Sequence, residues 1–130
     1  MRKVLILLFS LLAFYACNMH PTKFILINNT ESPIYYQLLS DTVPYFLAKY
    51  DISLLCPYDT VKPSWVRGGD GAWVYMINNH AIDSSLHIFI FKTDKMTDEL
   101  IKNRDYVRLS FTVKELDSLN WTVVYRGQNK

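Results

Sequence analysis

Leu86-His87-Ile88-Phe89-Ile90-Phe91 is the stretch that decides the fold. Six residues rich in β-branched and aromatic side chains, bounded by Ser84-Ser85 and Lys92, read as a strand. Leu86, Ile88 and Ile90 point one way, Phe89 and Phe91 the other. Both faces are apolar, so the strand belongs in the middle of a sheet with cover on each side. Downstream, Tyr106–Phe111 alternates cleanly: Val107, Leu109 and Phe111 face inward, Arg108 and Ser110 face water. Between these strands the spacing predicts a short helix over 94–103, with Met96, Leu100 and Ile101 on its inner face. Thr112-Val113-Lys114-Glu115 is a capping box that starts a two-turn helix through Leu119, and Asn120 suits its end. Trp121–Tyr125 is the last strand.

Upstream of this strand, Phe24-Ile25-Leu26-Ile27 and Ile34–Leu39 (IYYQLL) flank an Asn/Ser/Pro turn and predict a hairpin. Ala48–Leu55 is a third, weaker strand. Residues 56–71 hold two prolines and three glycines, which predicts a surface loop, with Val61–Val66 as a short edge strand. Within the loop Gly68-Gly69-Asp70-Gly71 reads as a turn. Trp73–Asn78 fits either a strand or one turn of helix. The expected fold is therefore mainly β: a β-sandwich-like single domain over residues 23–130, with roughly seven strands and one or two short C-terminal helices.

The chain opens with MRKVLILLFSLLAFYAC. Two cations, an apolar run and the small Ala16 before Cys17 follow the order of a secretory signal peptide, which places residues 1–16 in the leader. The twelve residues Val4–Tyr15 fall short of a bilayer core of roughly 30 Å at about 1.5 Å per residue. Ala16-Cys17 resembles the bacterial lipoprotein box, in which the thiol takes a diacylglyceryl group and becomes residue one. Phe14 and Tyr15 stand where that box has an aliphatic and a small residue. The resemblance implies lipidation at Cys17, two or three acyl chains (palmitate among them), and residues 17–22 as a tether. It implies anchoring in the outer membrane, and the lack of an acidic run after Cys17 favours the periplasmic side.

Fourteen Lys+Arg and twelve Asp+Glu give +2; removing Arg2 and Lys3 with the leader leaves the domain neutral. A neutral domain has no electrostatic footprint for nucleic acid. With Cys17 lipidated, Cys56 has no partner in the chain, and it reads as a small apolar residue buried near a strand end.

LHIFIF ending near Asp94, a helix, a strand with Tyr106, Thr112–Leu116 and Asn120-Trp121 through Tyr125 form a set. Together they resemble the C-terminal signature of small uncharacterised Bacteroides-type lipoproteins. The match covers about a third of the chain. Lys92 replaces the family's usual Asp after the strand, and the intervening helix lacks its frequent Trp. The resemblance speaks to compartment and domain type and carries no activity.

No constellation supports catalysis. Ser84-Ser85 precede His87, yet no G-x-S-x-G elbow exists, and His87 reads as a histidine satisfied within the sheet. His20, His80, His87 and Cys56 match no metal-ligand spacing, so neither metal nor cofactor is expected. Asp98-Glu99 sit at a helix start, where they complement the dipole. Asp41-Thr42-Val43, Asp59-Thr60-Val61 and Asp117-Ser118-Leu119 fit the three-residue O-glycosylation pattern of exported proteins in Bacteroides-like organisms, making Thr42, Thr60 and Ser118 candidate acceptors. Tyr35, Tyr45, Tyr50, Tyr58, Trp65 and Trp73 are candidate stacking surface. The sequence thus points to a non-enzymatic, lipid-anchored envelope module that binds a protein or glycan. The rival readings are a structural accessory subunit of an envelope complex and an inhibitor or immunity lipoprotein.

Overall fold

The computed structural model describes residues 23–44, 52–64, 66 and 70–127. Cys17 and the leader lie outside them, as do His20, Tyr45, Tyr50 and Trp65. Among the described residues seven strands form two sheets: β1 (Ile25–Asn28), β2 (Ile34–Leu39), β3 (Ser53–Leu55), β4 (Thr60–Val61), β5 (Ser85–Phe91), β6 (Val107–Thr112) and β7 (Thr122–Tyr125). Three described helices join them: α1 (Asp70–His80), α2 (Asp98–Lys102) and α3 (Val113–Ser118). The fold is mainly β and sandwich-like, as expected. None of the described helices is long and apolar enough to cross a membrane.

The larger sheet has the order β3-β2-β5-β6 and is antiparallel throughout. Every residue of β5 is buried, and its two faces feed two separate clusters. Leu86, Ile88 and Ile90 join the main core. Phe89 and Phe91 join Leu39 on the far side, where Met96, Leu100, Ile101 and Tyr106 cover them. That cover is the role the sequence gives the α2 segment, although the helix itself is only five residues long. Val107, Leu109 and Phe111 of β6 pack against the main core, while Arg108 and Ser110 are exposed.

The smaller sheet has the order β4-β1-β7, with β1 parallel to β7 and antiparallel to β4. The expected β1–β2 hairpin is therefore wrong: the two strands lie in different sheets. The reason is Asn28, fully buried where the chain crosses between them. Its Nδ2 donates to the carbonyls of Ser32, Leu55 and Cys56, and its Oδ1 accepts from Thr30 N–H and Thr30 Oγ1. An amide satisfied in this way ties the turn to the end of β3 rather than closing a hairpin.

Gly68 and Gly69 of the expected turn lie outside the described residues, while its last two residues and the short or extended reading of 73–78 give way. Asp70 and Gly71 begin an eleven-residue helix. Trp73 and Ile77, four residues apart, share one helix face, and both are fully buried. Trp73 stacks on Phe24 at 5.4 Å between centroids and meets the edge of Trp121 at 6.3 Å. The helix is thus a plug for the core. The capping box is present: Thr112 N–H and Oγ1 donate to Glu115 Oε2 at 2.8 Å, and Glu115 N–H donates to Thr112 Oγ1 at 3.3 Å. These bonds hold the Glu115 carboxyl below its ordinary range.

Candidate functional site

Three segments far apart in sequence end at one place. The β1–β2 crossover brings Thr30, Ser32, Pro33 and Ile34; the end of β5 brings Lys92, Thr93 and Asp94; the end of β7 brings Tyr125, Arg126 and Gly127. They line a cleft of about 450 Å³. Pairing puts them there. Asn28 faces Tyr125 across the parallel β1–β7 ladder, and Tyr35 faces Phe91 across β2–β5. The amide of Asn29 donates to the Tyr125 carbonyl at 2.7 Å and locks the strand end. Gly127 takes φ +83°, a conformation open to glycine, and this turns the chain away beside Thr30.

The cleft mixes charge with an apolar floor. Lys92 and Arg126 are exposed, and among the described residues neither has a carboxylate within ion-pair distance. The Lys92 ammonium stands 5.9 Å from the centre of the Tyr125 ring. Tyr125 is 4% exposed, and its buried hydroxyl has no hydrogen-bond partner among the described residues. Thr30 and Thr93 use their hydroxyls locally, on Asn28 and Ser32 and on Lys95. Asp94 adds one carboxylate at the rim.

A second polar group lies deeper. His87, 1% exposed, has Nδ1 2.8 Å from Ser110 Oγ and Nε2 3.0 Å from Asp83 Oδ1. The order Asp, His, Ser resembles a hydrolytic triad on paper. Its setting is that of a cross-strand tie: His87 and Ser110 are direct partners in the β5–β6 ladder. The cleft contains none of the three, and Lys92 stands five positions after His87, roughly 16 Å at about 3.3 Å per residue. A nucleophile also needs donors aimed at a developing oxyanion; among the described residues the side-chain partner of Ser110 Oγ is His87.

The other candidates disperse. Trp73 belongs to the core, so it is not stacking surface; Tyr35 packs against the second cluster, and Tyr58 is exposed at the turn after β3. Thr42 is half-buried before Pro44, and Ser118 is exposed at the last turn of α3, its hydroxyl donating to Glu115 O. Thr60, expected in a loop, lies exposed on β4 opposite Ile27. Cys56, expected buried, is exposed. Leu55 takes the inward place before it, and the Cys56 carbonyl turns to Asn28. Among the described residues no group of three His, Cys, Asp or Glu side chains converges for a metal ion.

Sequence reasoning did not assemble Ser32, Lys92, Tyr125 and Arg126. They share no motif, and only the parallel β1–β7 closure makes them neighbours. Comparison with protein-family models, curated proteins and solved structures finds no match to this chain.

Proposed function

We propose that this protein is an exported, lipid-anchored module of the cell envelope that binds a partner and performs no chemistry on it. The leader and the lipoprotein-like Ala16-Cys17 support the anchor, and the resemblance to small Bacteroides-type lipoproteins supports the outer membrane with the domain on the periplasmic side. The observation that carries binding is the cleft between the sheet ends. Two cations, without ionic partners among the described residues, line it together with apolar side chains, the composition of a recognition pocket. Thr42, Thr60 and Ser118 remain candidate O-glycan acceptors, with Thr60 and Ser118 the more exposed.

Crosslinking and pull-down from native membranes, alongside fractionation of Cys17→Ser, tests the reading. The native chain is expected in the membrane fraction with a crosslinked partner, and Cys17→Ser in the soluble envelope fraction. A native chain recovered soluble, or one whose leader stays uncut, would overturn the anchor. Turnover of a substrate by the purified chain would overturn the non-enzymatic role.

A further inference from the structure

We infer that the cleft at the sheet ends binds a monoanionic sugar of the uronic-acid class. The inference deepens the binding role proposed above and rests on it. Three features of the lining select this chemistry. Lys92 and Arg126 outnumber Asp94, so the cleft carries a net charge of one positive unit and favours one anionic group. A carboxylate is the natural match for Arg126, whose planar fork engages both oxygens at once. Asp94 cannot contact that anion favourably; it asks instead for donors, and vicinal ring hydroxyls supply them. Ser32 Oγ makes no hydrogen bond among the described residues and is a further polar contact at the rim, unlike Thr30 and Thr93, whose hydroxyls are engaged in the frame.

The remaining lining is apolar: the exposed Pro33, with the small parts of Ile34 and Tyr125 that reach the surface. A pyranose presents a C–H face suited to such a floor, whereas a bare inorganic anion leaves it unused. The volume of about 450 Å³ lies within the span of small-ligand pockets. The rigidity is built in. The crossover is fixed by Asn28, the strand end by Asn29 N–H on Tyr125 O, and the turn after β5 by Thr93 and Lys95. A frame held this way loses little entropy when a ligand arrives.

The test is calorimetric titration of the full chain in detergent with D-glucuronate, with D-glucose, acetate, inorganic phosphate and trialanine as comparators. Glucuronate is expected to bind at least about tenfold more tightly than each of the other four. Lys92→Ala and Arg126→Ala, both at exposed positions, are each expected to weaken it by about tenfold or more without lowering the melting temperature. Equal binding of acetate, phosphate or trialanine would overturn the sugar assignment, and equal binding of glucose would overturn the role of the cations. No binding of glucuronate, or binding unchanged in both variants, would overturn the site. The parent reading fails differently: if a Lys92→Ala/Arg126→Ala double variant still captures its crosslinked partner, the module binds elsewhere and only this inference falls.

Discussion

Replacing Trp73 with alanine measures whether α1 plugs the core. The indole is fully buried, stacked on Phe24 and edge-on to Trp121. Truncating a buried aromatic costs about 3–5 kcal/mol through lost transfer and the cavity left behind. Two aromatic contacts worth about 0.5–1.5 kcal/mol each place this site toward the upper end. Alanine's better helix propensity returns only about 0.5 kcal/mol. Tyr75, two residues on in the same helix and 58% exposed, is the control; Tyr75→Ala should cost under about 1 kcal/mol. Urea unfolding followed by far-UV circular dichroism reads both. With a slope of about 1–2 kcal/mol per molar for a domain of this size, Trp73→Ala lowers the midpoint by roughly 2–4 M, and Tyr75→Ala by under about 1 M. If the two variants shift alike, the helix covers the core without filling it, and the account of α1 is wrong.

Two other sites, the α3 cap and the β5–β6 tie, can be tested in the same way. At the α3 cap, Thr112→Ala should cost about 0.5–2 kcal/mol. Because folding lowers the Glu115 carboxyl, its stabilisation is present above the ordinary carboxylate range and vanishes as pH falls through the folded value. The melting temperatures of native protein and Glu115→Gln should differ near neutrality and converge in acid; a constant gap would show that the charge plays no part. At the β5–β6 tie, Ser110→Ala should lose about 0.5–1.5 kcal/mol in chemical unfolding. A fluorophosphonate probe, followed by peptide mass spectrometry, should leave Ser110 unlabelled, and labelling there would mean that the Asp83–His87–Ser110 chain is a working nucleophile.

What the sequence disclosed was local. β5 was legible because Leu86, Ile88 and Ile90 on one face and Phe89 and Phe91 on the other are apolar, and β6 because Arg108 and Ser110 alternate with Val107, Leu109 and Phe111. The α3 start was legible because Thr112 and Glu115 carry their own hydrogen-bond partners. His87, read as satisfied within the sheet, is bonded at both ring nitrogens. Helix α1 was not legible. Gly71, the β-branched Val74 and Ile77, and Asn78-Asn79 are poor helix formers, and Trp73-Val74-Tyr75 suits a strand equally well. Only the packing of Trp73 and Ile77 against Phe24, Trp121 and Leu116 settles the choice, and that is tertiary information.

The crossover at Asn28 was hidden for a related reason. Asn and Pro between two strands fit a hairpin turn, and no local rule says that the asparagine will be buried instead. Burial becomes tolerable once its amide finds the carbonyls of Leu55 and Cys56, more than twenty residues away. The parallel β1–β7 pairing is longer in range still, joining the first and last strands. The candidate site inherits that invisibility, since each of its three segments is an ordinary strand end until the closure brings them together.

Why the cleft, and not the deeper histidine, carries the functional reading is a matter of where polar demand remains. A fold ordinarily satisfies what it buries, because an orphaned buried donor or acceptor costs about 1–3 kcal/mol. Asn28 meets that rule with bonds to both ends of its amide, and His87 with bonds to both ring nitrogens. These groups are frame: every polar atom they own is spent inside the domain. At the sheet ends the pattern reverses. Among the described residues the Tyr125 hydroxyl is buried without a hydrogen-bond partner, and the exposed Lys92 and Arg126 have no carboxylate within ion-pair distance. Interactions withheld from the fold at one concave place are available to something else, and a positively charged cleft with an apolar floor determines the kind of molecule that takes them up.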